Sequence, residues 1–188
     1  MPDLYLLAGP NGSGKSTYVY RVLRPVTKLP FVNADEIAAA RWPKAQAEHA
    51  YEASRAAADE RTRLFTGGRS FITETVFSHP SKIELVEQAS RARYLVHLRV
   101  ILLPVDVAVR RVLERVQDGG HAVPEQKIRE RYERLWSLVA RAREIADSTE
   151  FLDNSTAAAP FRRVALYERG LLVNEPSWPE WTPSALIN

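Results

Sequence analysis

Nine residues near the start constrain this chain more than any other stretch: Gly9-Pro10-Asn11-Gly12-Ser13-Gly14-Lys15-Ser16-Thr17. They satisfy the pattern GxxxxGK[ST] in full, between the apolar run Leu4-Tyr5-Leu6-Leu7-Ala8 and a segment with helical character. A short apolar run ending at glycine reads as a buried parallel strand. The glycines permit torsions and close approaches that a side chain blocks, so successive backbone N–H groups can face phosphate oxygens at the positive end of the next helix. In such a loop Lys15 reaches the β- and γ-phosphates, the Ser16 hydroxyl ligates Mg²⁺, and Thr17 approaches the α-phosphate. A solvated glycine-rich turn is the bland alternative, and the complete motif in its strand–helix setting argues against it. The expectation is a site for ATP and Mg²⁺ built from all nine residues.

The rest of the chain alternates strand and helix. The helix after the loop is expected to run to about Leu23 and stop at Pro25. Phe31-Val32-Asn33 reads as a second strand, with Asp35 placed to cap a helix running to about Arg41. Pro43 to Phe65 is alanine-rich and predicts a helix, ended by Gly67-Gly68. Ser70–Thr75 is a third strand, Ser81–Arg93 an amphipathic helix, Leu95–Leu103 the most strand-like run, and Val105–Val116 a further helix. Gly119-Gly120 breaks that helix. Pro124 opens a longer one to about Ala146, with Ile128, Tyr132, Leu135, Val139 and Ile145 on one face. Phe151-Leu152 and Val164–Tyr167 read as late strands, and the tail after Glu175 as irregular. This order predicts a three-layer α/β sandwich around a mostly parallel sheet, in one domain over residues 1–188.

A phosphate loop does not separate a kinase from a hydrolytic motor. A motor usually has a hydrophobic strand ending in Asp for Mg²⁺ and water, but Leu95–Leu103 runs into Pro104-Val105-Asp106, which displaces that acid into the next helix. Small kinases instead need an acid near the acceptor hydroxyl and arginines over the transferred group. Asp35 follows a strand, so a parallel sheet delivers it to the carboxyl edge where ligands bind, as a base as well as a cap. Glu74 and Thr75 end the third strand at that edge and are expected to contact the acceptor. Residues 91–143 hold twelve basic and six acidic side chains, mostly arginine, whose planar fork suits phosphate. The two basic helices around Gly119-Gly120-His121 read as a lid over about 110–134. Arg115 and Arg131 are its first candidates, with Arg111 or Arg129 as substitutes, and His121 is a hinge or substrate contact. Most of the other charges form a solvated face.

The chain has no cysteine, which excludes a thiol nucleophile, a Cys-based zinc site and a disulfide framework. Its histidines (His49, His79, His97, His121) lack metal-ligand spacing, and no serine stands in a nucleophile-elbow pattern. A formal charge of +3 is too small to announce a nucleic-acid partner. With no signal-peptide pattern and no apolar run near ~20 residues, the expectation is a cytoplasmic protein without a membrane anchor.

Together, Gly9–Thr17, Val32-Asn33-Ala34-Asp35, Thr73-Glu74-Thr75, and Gly119-Gly120-His121-Ala122-Val123-Pro124 through Arg131-Tyr132 resemble the zeta-toxin-like P-loop kinases, over roughly residues 4–155. The resemblance implies a kinase-like fold binding ATP–Mg²⁺, with Asp35 at the position of the catalytic base. It places Glu74 and Thr75 in the substrate-contacting segment and Arg115 and Arg131 at the lid arginines. It also implies transfer to a small-molecule hydroxyl, such as that of the nucleotide sugar UDP-N-acetylglucosamine, and an antitoxin protein as partner. Another metabolite, a polynucleotide 5′-hydroxyl and ATP binding without transfer stand beside that acceptor as alternatives.

Overall fold

A computed structural model describes residues 1–117 and 123–187. Five parallel strands form most of one sheet: β1 (Asp3–Ala8), β2 (Phe31–Val32), β3 (Phe71–Thr75), β4 (Leu95–Leu102) and β5 (Ser148–Asp153). Two antiparallel strands, β6 (Arg162–Glu168) and β7 (Leu171–Leu172), complete the order β2-β3-β1-β4-β5-β6-β7. β1 therefore stands where the winding reverses, and the loop that follows it opens into the crevice where such sheets bind ligands.

The period-two alternation of the strands divides the core into layers. Leu4, Leu6, Phe71, Val96, Leu98, Val100 and Phe151 face helices α4 (Ala50–Thr66), α5 (Ser81–Arg91) and α7 (Glu125–Arg143). Leu7, Ile72, Ile101 and Leu152 face the other way, onto Tyr18, Val19 and Leu23 of the helical rod that follows the phosphate loop. Helix α6 (Val105–Gln117) packs Ala108, Val109 and Val112 against Leu103 and Ile128. The tail aromatics Trp178 and Trp181 pack on the first cluster.

Several boundaries differ from those the sequence predicts. The rod does not stop at Pro25: α1 (Lys15–Tyr18) passes into a π-helical turn, Val19–Leu23, and then into α2 (Arg24–Thr27). The π turn resets the hydrogen-bond frame, so Pro25 falls in the first turn of a new segment, where no N–H is required. The cap of α3 (Ala34–Arg41) is Asn33, not Asp35: its Oδ1 accepts from the N–H groups of Asp35 at 2.7 Å and Glu36 at 3.4 Å. Helix α4 begins at Ala50 because Trp42 stacks on His49 at 4.6 Å and folds the intervening residues into turns. Strands β5 and β6 are longer than their apolar cores. Glu150 extends β5 by pairing with Arg99 at 3.0 Å and Arg163 at 3.5 Å across the sheet face.

That same face carries an Asp–His–Ser line, in which His97 joins Asp3 and Ser148 through its two ring nitrogens at 2.9 Å each. None of these three residues lines the cavity described below.

Candidate active site

The phosphate loop is clamped on three sides. Gly9 (φ 148°) runs so close to β4 that a Cβ there would stand 2.5 Å from the Ile101 carbonyl oxygen. Gly14 (φ 92°) starts α1 in a left-handed conformation, with the Asn154 side chain 2.7 Å from where its Cβ would be. Asn154 Nδ2 donates to the Ser13 carbonyl at 2.8 Å, and Arg111 Nη2 donates to the Asn154 carbonyl at 3.0 Å. The end of β5 and helix α6 thus hold the loop's shape before any ligand arrives. The Asn11 Oδ1 and Ser13 Oγ atoms are buried with no hydrogen-bond partner among the described residues. Lys15 Nζ folds onto the loop itself, donating to the carbonyls of Gly9 at 3.1 Å and Pro10 at 3.0 Å. Burial pushes its pKa below the ordinary lysine range, against the opposing charges of Glu74 and Asp35.

Glu74, in register with Leu7 of β1, comes up beside the loop. The Ser16 hydroxyl lies 3.0 Å from each of its carboxylate oxygens. Burial raises the Glu74 pKa, while the Lys15 charge and hydrogen bonds from Ser16 and Asn33 pull it back. Asn33 therefore acts on both sides: its amide oxygen caps α3, and its amide favours the charged form of Glu74. The cap places Asp35 in the first turn of α3, at the carboxyl edge of β2, with its carboxylate available to the cavity. The Ser16 hydroxyl beside the Glu74 carboxylate is a hard oxygen donor set, which suits Mg²⁺ completed by phosphate and water.

These groups line one cavity of about 740 Å³. Among the described residues, Lys15, Arg111, Arg115, Lys127 and Arg131 reach it, against two carboxylates, Asp35 and Glu74. Five cations over two acids is a site for a polyanion. Thr75 also lines the cavity, and its Oγ1 accepts from the Phe77 N–H at 3.1 Å. The structure brings Asn11, Gly12, Gly14, Lys15, Ser16, Thr17, Asp35, Glu74, Thr75, Arg115 and Arg131 to this cavity. Gly9, Pro10 and Ser13 form its supporting turn. Arg129 lies outside it, bonded to Asp106 and Glu125 at 2.8 Å each. His121 lies outside the described residues.

Sequence reasoning missed Asn33 as a site residue, although an Asn directly before a helix is an N-cap signal. It also missed Lys127 and Ser54, which carry no motif and reach the cavity only through folding. Asn154 holds the loop through its side chain. Its position after a late strand was the only clue in the sequence.

This arrangement defines a class: a three-layer α/β P-loop protein of the kinase-like type. Residues 4–136 match the AAA domain family, and the chain belongs to that family. No curated protein matches it in sequence. Among solved structures, a chain of the AvrRxo1-ORF1:-ORF2 complex with ATP is similar at a TM-score of 0.73 and 18% identity, over 92% of this chain and 60% of that one. A chain of the PezAT chromosomal toxin–antitoxin system of Streptococcus pneumoniae gives 0.65 and 16% identity, over 81% of this chain and 68% of that one. Shikimate kinase from Acinetobacter baumannii, in complex with shikimate, gives 0.54 and 20% identity, over 84% and 87%. The chain thus spans about 60% of the AvrRxo1 chains it resembles, and these likenesses describe the fold.

Proposed function

We propose that this protein is an ATP-dependent kinase that transfers the γ-phosphoryl group to a hydroxyl of a small molecule. One observation carries the reading: the loop's Lys15 and Ser16, the carboxylates Asp35 and Glu74, and arginines from α6 and α7 all open on the same cavity. The phosphate loop and Lys15 hold the triphosphate. Ser16 with Glu74 would hold Mg²⁺, which would supply charge neutralisation for the triphosphate. Asp35 orients the acceptor hydroxyl and takes its proton as the new O–P bond forms and the β–γ bridging bond breaks, leaving ADP. Arg111, Arg115 and Arg131 offset the charge of the transferred group. Residues 1–188 act in this reading as one domain, with residues about 110–134 as its lid.

The resemblance to zeta-toxin-like kinases makes a nucleotide sugar such as UDP-N-acetylglucosamine the first acceptor to test, and an antitoxin the partner to seek. The supply of ATP places the reaction in the cytoplasm, and among the described residues no helix is long and apolar enough to cross a membrane. The test is ADP release with Mg²⁺–ATP across a panel of metabolites and 5′-hydroxyl oligonucleotides, with mass spectrometry of the acceptor. A phosphorylated product that disappears in both Lys15→Ala and Asp35→Asn is the expected result. Transfer that survives Asp35→Asn unchanged removes the base. ATP binding with no product from any acceptor leaves a nucleotide-binding module instead.

A further inference from the structure

Behind Asp35 the main cavity continues into a second, smaller one of about 190 Å³, which shares Ala34, Asp35 and Arg115 with it. Its remaining walls are Ala38 of α3, Gln46 of the turn before α4, and Ala50 and Ala53 of α4. Four of these seven residues are alanines, two from each of two packed helices. The slot therefore has methyl-lined walls of small side chains. Its polar side chains are one neutral amide, Gln46, and the two charged residues it shares with the main cavity, Asp35 and Arg115. Lys127 and Arg131, which give the main cavity its polyanion character, do not reach it.

This contrast says what the slot can accept. Among the described residues an anionic group finds no cation there beyond Arg115 and would be drawn into the main cavity instead. A bare sugar ring carries several hydroxyls, and burying them against alanine methyls without partners is costly. A flat, uncharged ring meets the walls with its apolar faces and presents one polar edge to the Gln46 amide, the kind of group that pairs with a base edge. At about 190 Å³ the slot is below the ~300–1,000 Å³ of pockets that hold whole drug-sized ligands, so it is scaled to one ring system. It also begins at Asp35, the residue assigned to the reacting hydroxyl.

We infer that the acceptor is a nucleoside-like alcohol, in which a flat, uncharged heterocycle sits within one sugar of the hydroxyl that is phosphorylated, and that the alanine slot between α3 and α4 binds that ring. This rests on the kinase reading and narrows it. In a nucleotide sugar the base is separated from the amino-sugar hydroxyl by a ribose and a diphosphate, so the two acceptor hydroxyls place the ring differently.

The experiment separates ring binding from turnover. Equilibrium dialysis with labelled adenosine and uridine, in the presence of Mg²⁺–ADP, measures occupancy of the slot without chemistry. The variants are Ala50→Leu, at an exposed position on the rim, Ala53→Leu, deeper in the wall, and Gln46→Ala. Saturable nucleoside binding is expected, weakened at least about tenfold by Ala50→Leu and severalfold by Gln46→Ala. ATP affinity serves as the folding control for each variant, and Ala50→Leu keeps the test valid if the buried Ala53→Leu fails to fold. In turnover, the same variants raise the acceptor KM and leave the KM for ATP unchanged. Nucleoside binding unaltered by Ala50→Leu overturns the slot, and so does efficient phosphorylation of UDP-N-acetylglucosamine with no nucleoside bound. Slot-dependent binding without transfer to any acceptor would instead sink the kinase reading and leave the slot standing.

Discussion

Asn33 is the residue on which the geometry of the site converges, and its replacement gives the sharpest test of that geometry. The side chain is buried, caps α3 at 2.7 Å and favours the charged form of the Glu74 carboxylate. Losing an Asn N-cap costs about 1 kcal/mol. The amide also favours the charged Glu74, so its loss adds to that cost. Asn33→Ala should therefore destabilise the fold by about 1–2 kcal/mol, a fall in Tm of roughly 2–8 °C for a chain of this size. Asn33→Asp separates the two contributions. It restores a capping oxygen, but it removes the amide that favours the charged Glu74 and sets a third carboxylate near Glu74 and Asp35. Its capping loss should be near zero, and its remaining destabilisation should shrink when Glu74 is changed to Gln. The assay is urea unfolding of the four proteins in the cycle Asn33→Ala, Glu74→Gln and their combination, where a coupling of about 1–2 kcal/mol is expected. An Asn33→Ala protein within about 0.5 kcal/mol of the parent, or additivity in the cycle, would refute the claim that one amide ties the base-bearing helix to the Ser16–Glu74 pair.

Gly14→Ala forces a Cβ into the left-handed region and against the Asn154 amide, so it should cost about 1–3 kcal/mol in urea unfolding and lose ATP binding. Gly68→Ala, at φ 57° with nothing within 4 Å, is the control and should cost only about 1 kcal/mol. Burial raises the Glu74 pKa above the ordinary 4.5, so Mg²⁺–ATP affinity should fall with decreasing pH at a midpoint above that value and lose this limb in Glu74→Gln; a midpoint at or below 4.5 contradicts it. Burial pushes the Tyr132 hydroxyl up to about 12, so the unfolded chain loses this proton first. The resulting stability is present below pH ~10 and is lost as pH rises towards ~12. Tyr132→Phe should flatten that slope in an alkaline unfolding series.

What the sequence carried and what it hid follow from the range of the interactions. The phosphate loop, the strand–helix alternation and the arginine-rich helices are local patterns, so periodicity and spacing were enough to place them. The errors fall where a second element decides the outcome. Pro25 reads as a helix stop until the π turn at Val19–Leu23 supplies a new helical start just ahead of it. Phe151-Leu152 reads as the whole of a late strand until Arg99 and Arg163 approach Glu150 from the neighbouring strands and extend it. Asp35 reads as a cap because Asp caps well, but Asn33, two residues earlier, takes the cap. That exchange bears on chemistry as well as on helix boundaries. An aspartate spent on backbone N–H groups has its oxygens committed to the helix, whereas one in the first turn behind an asparagine cap presents them to the cavity. The sequence already contained both residues. Only the folded register, with Asn33 buried between β2 and Glu74, shows which of them holds the helix and which is left for a ligand.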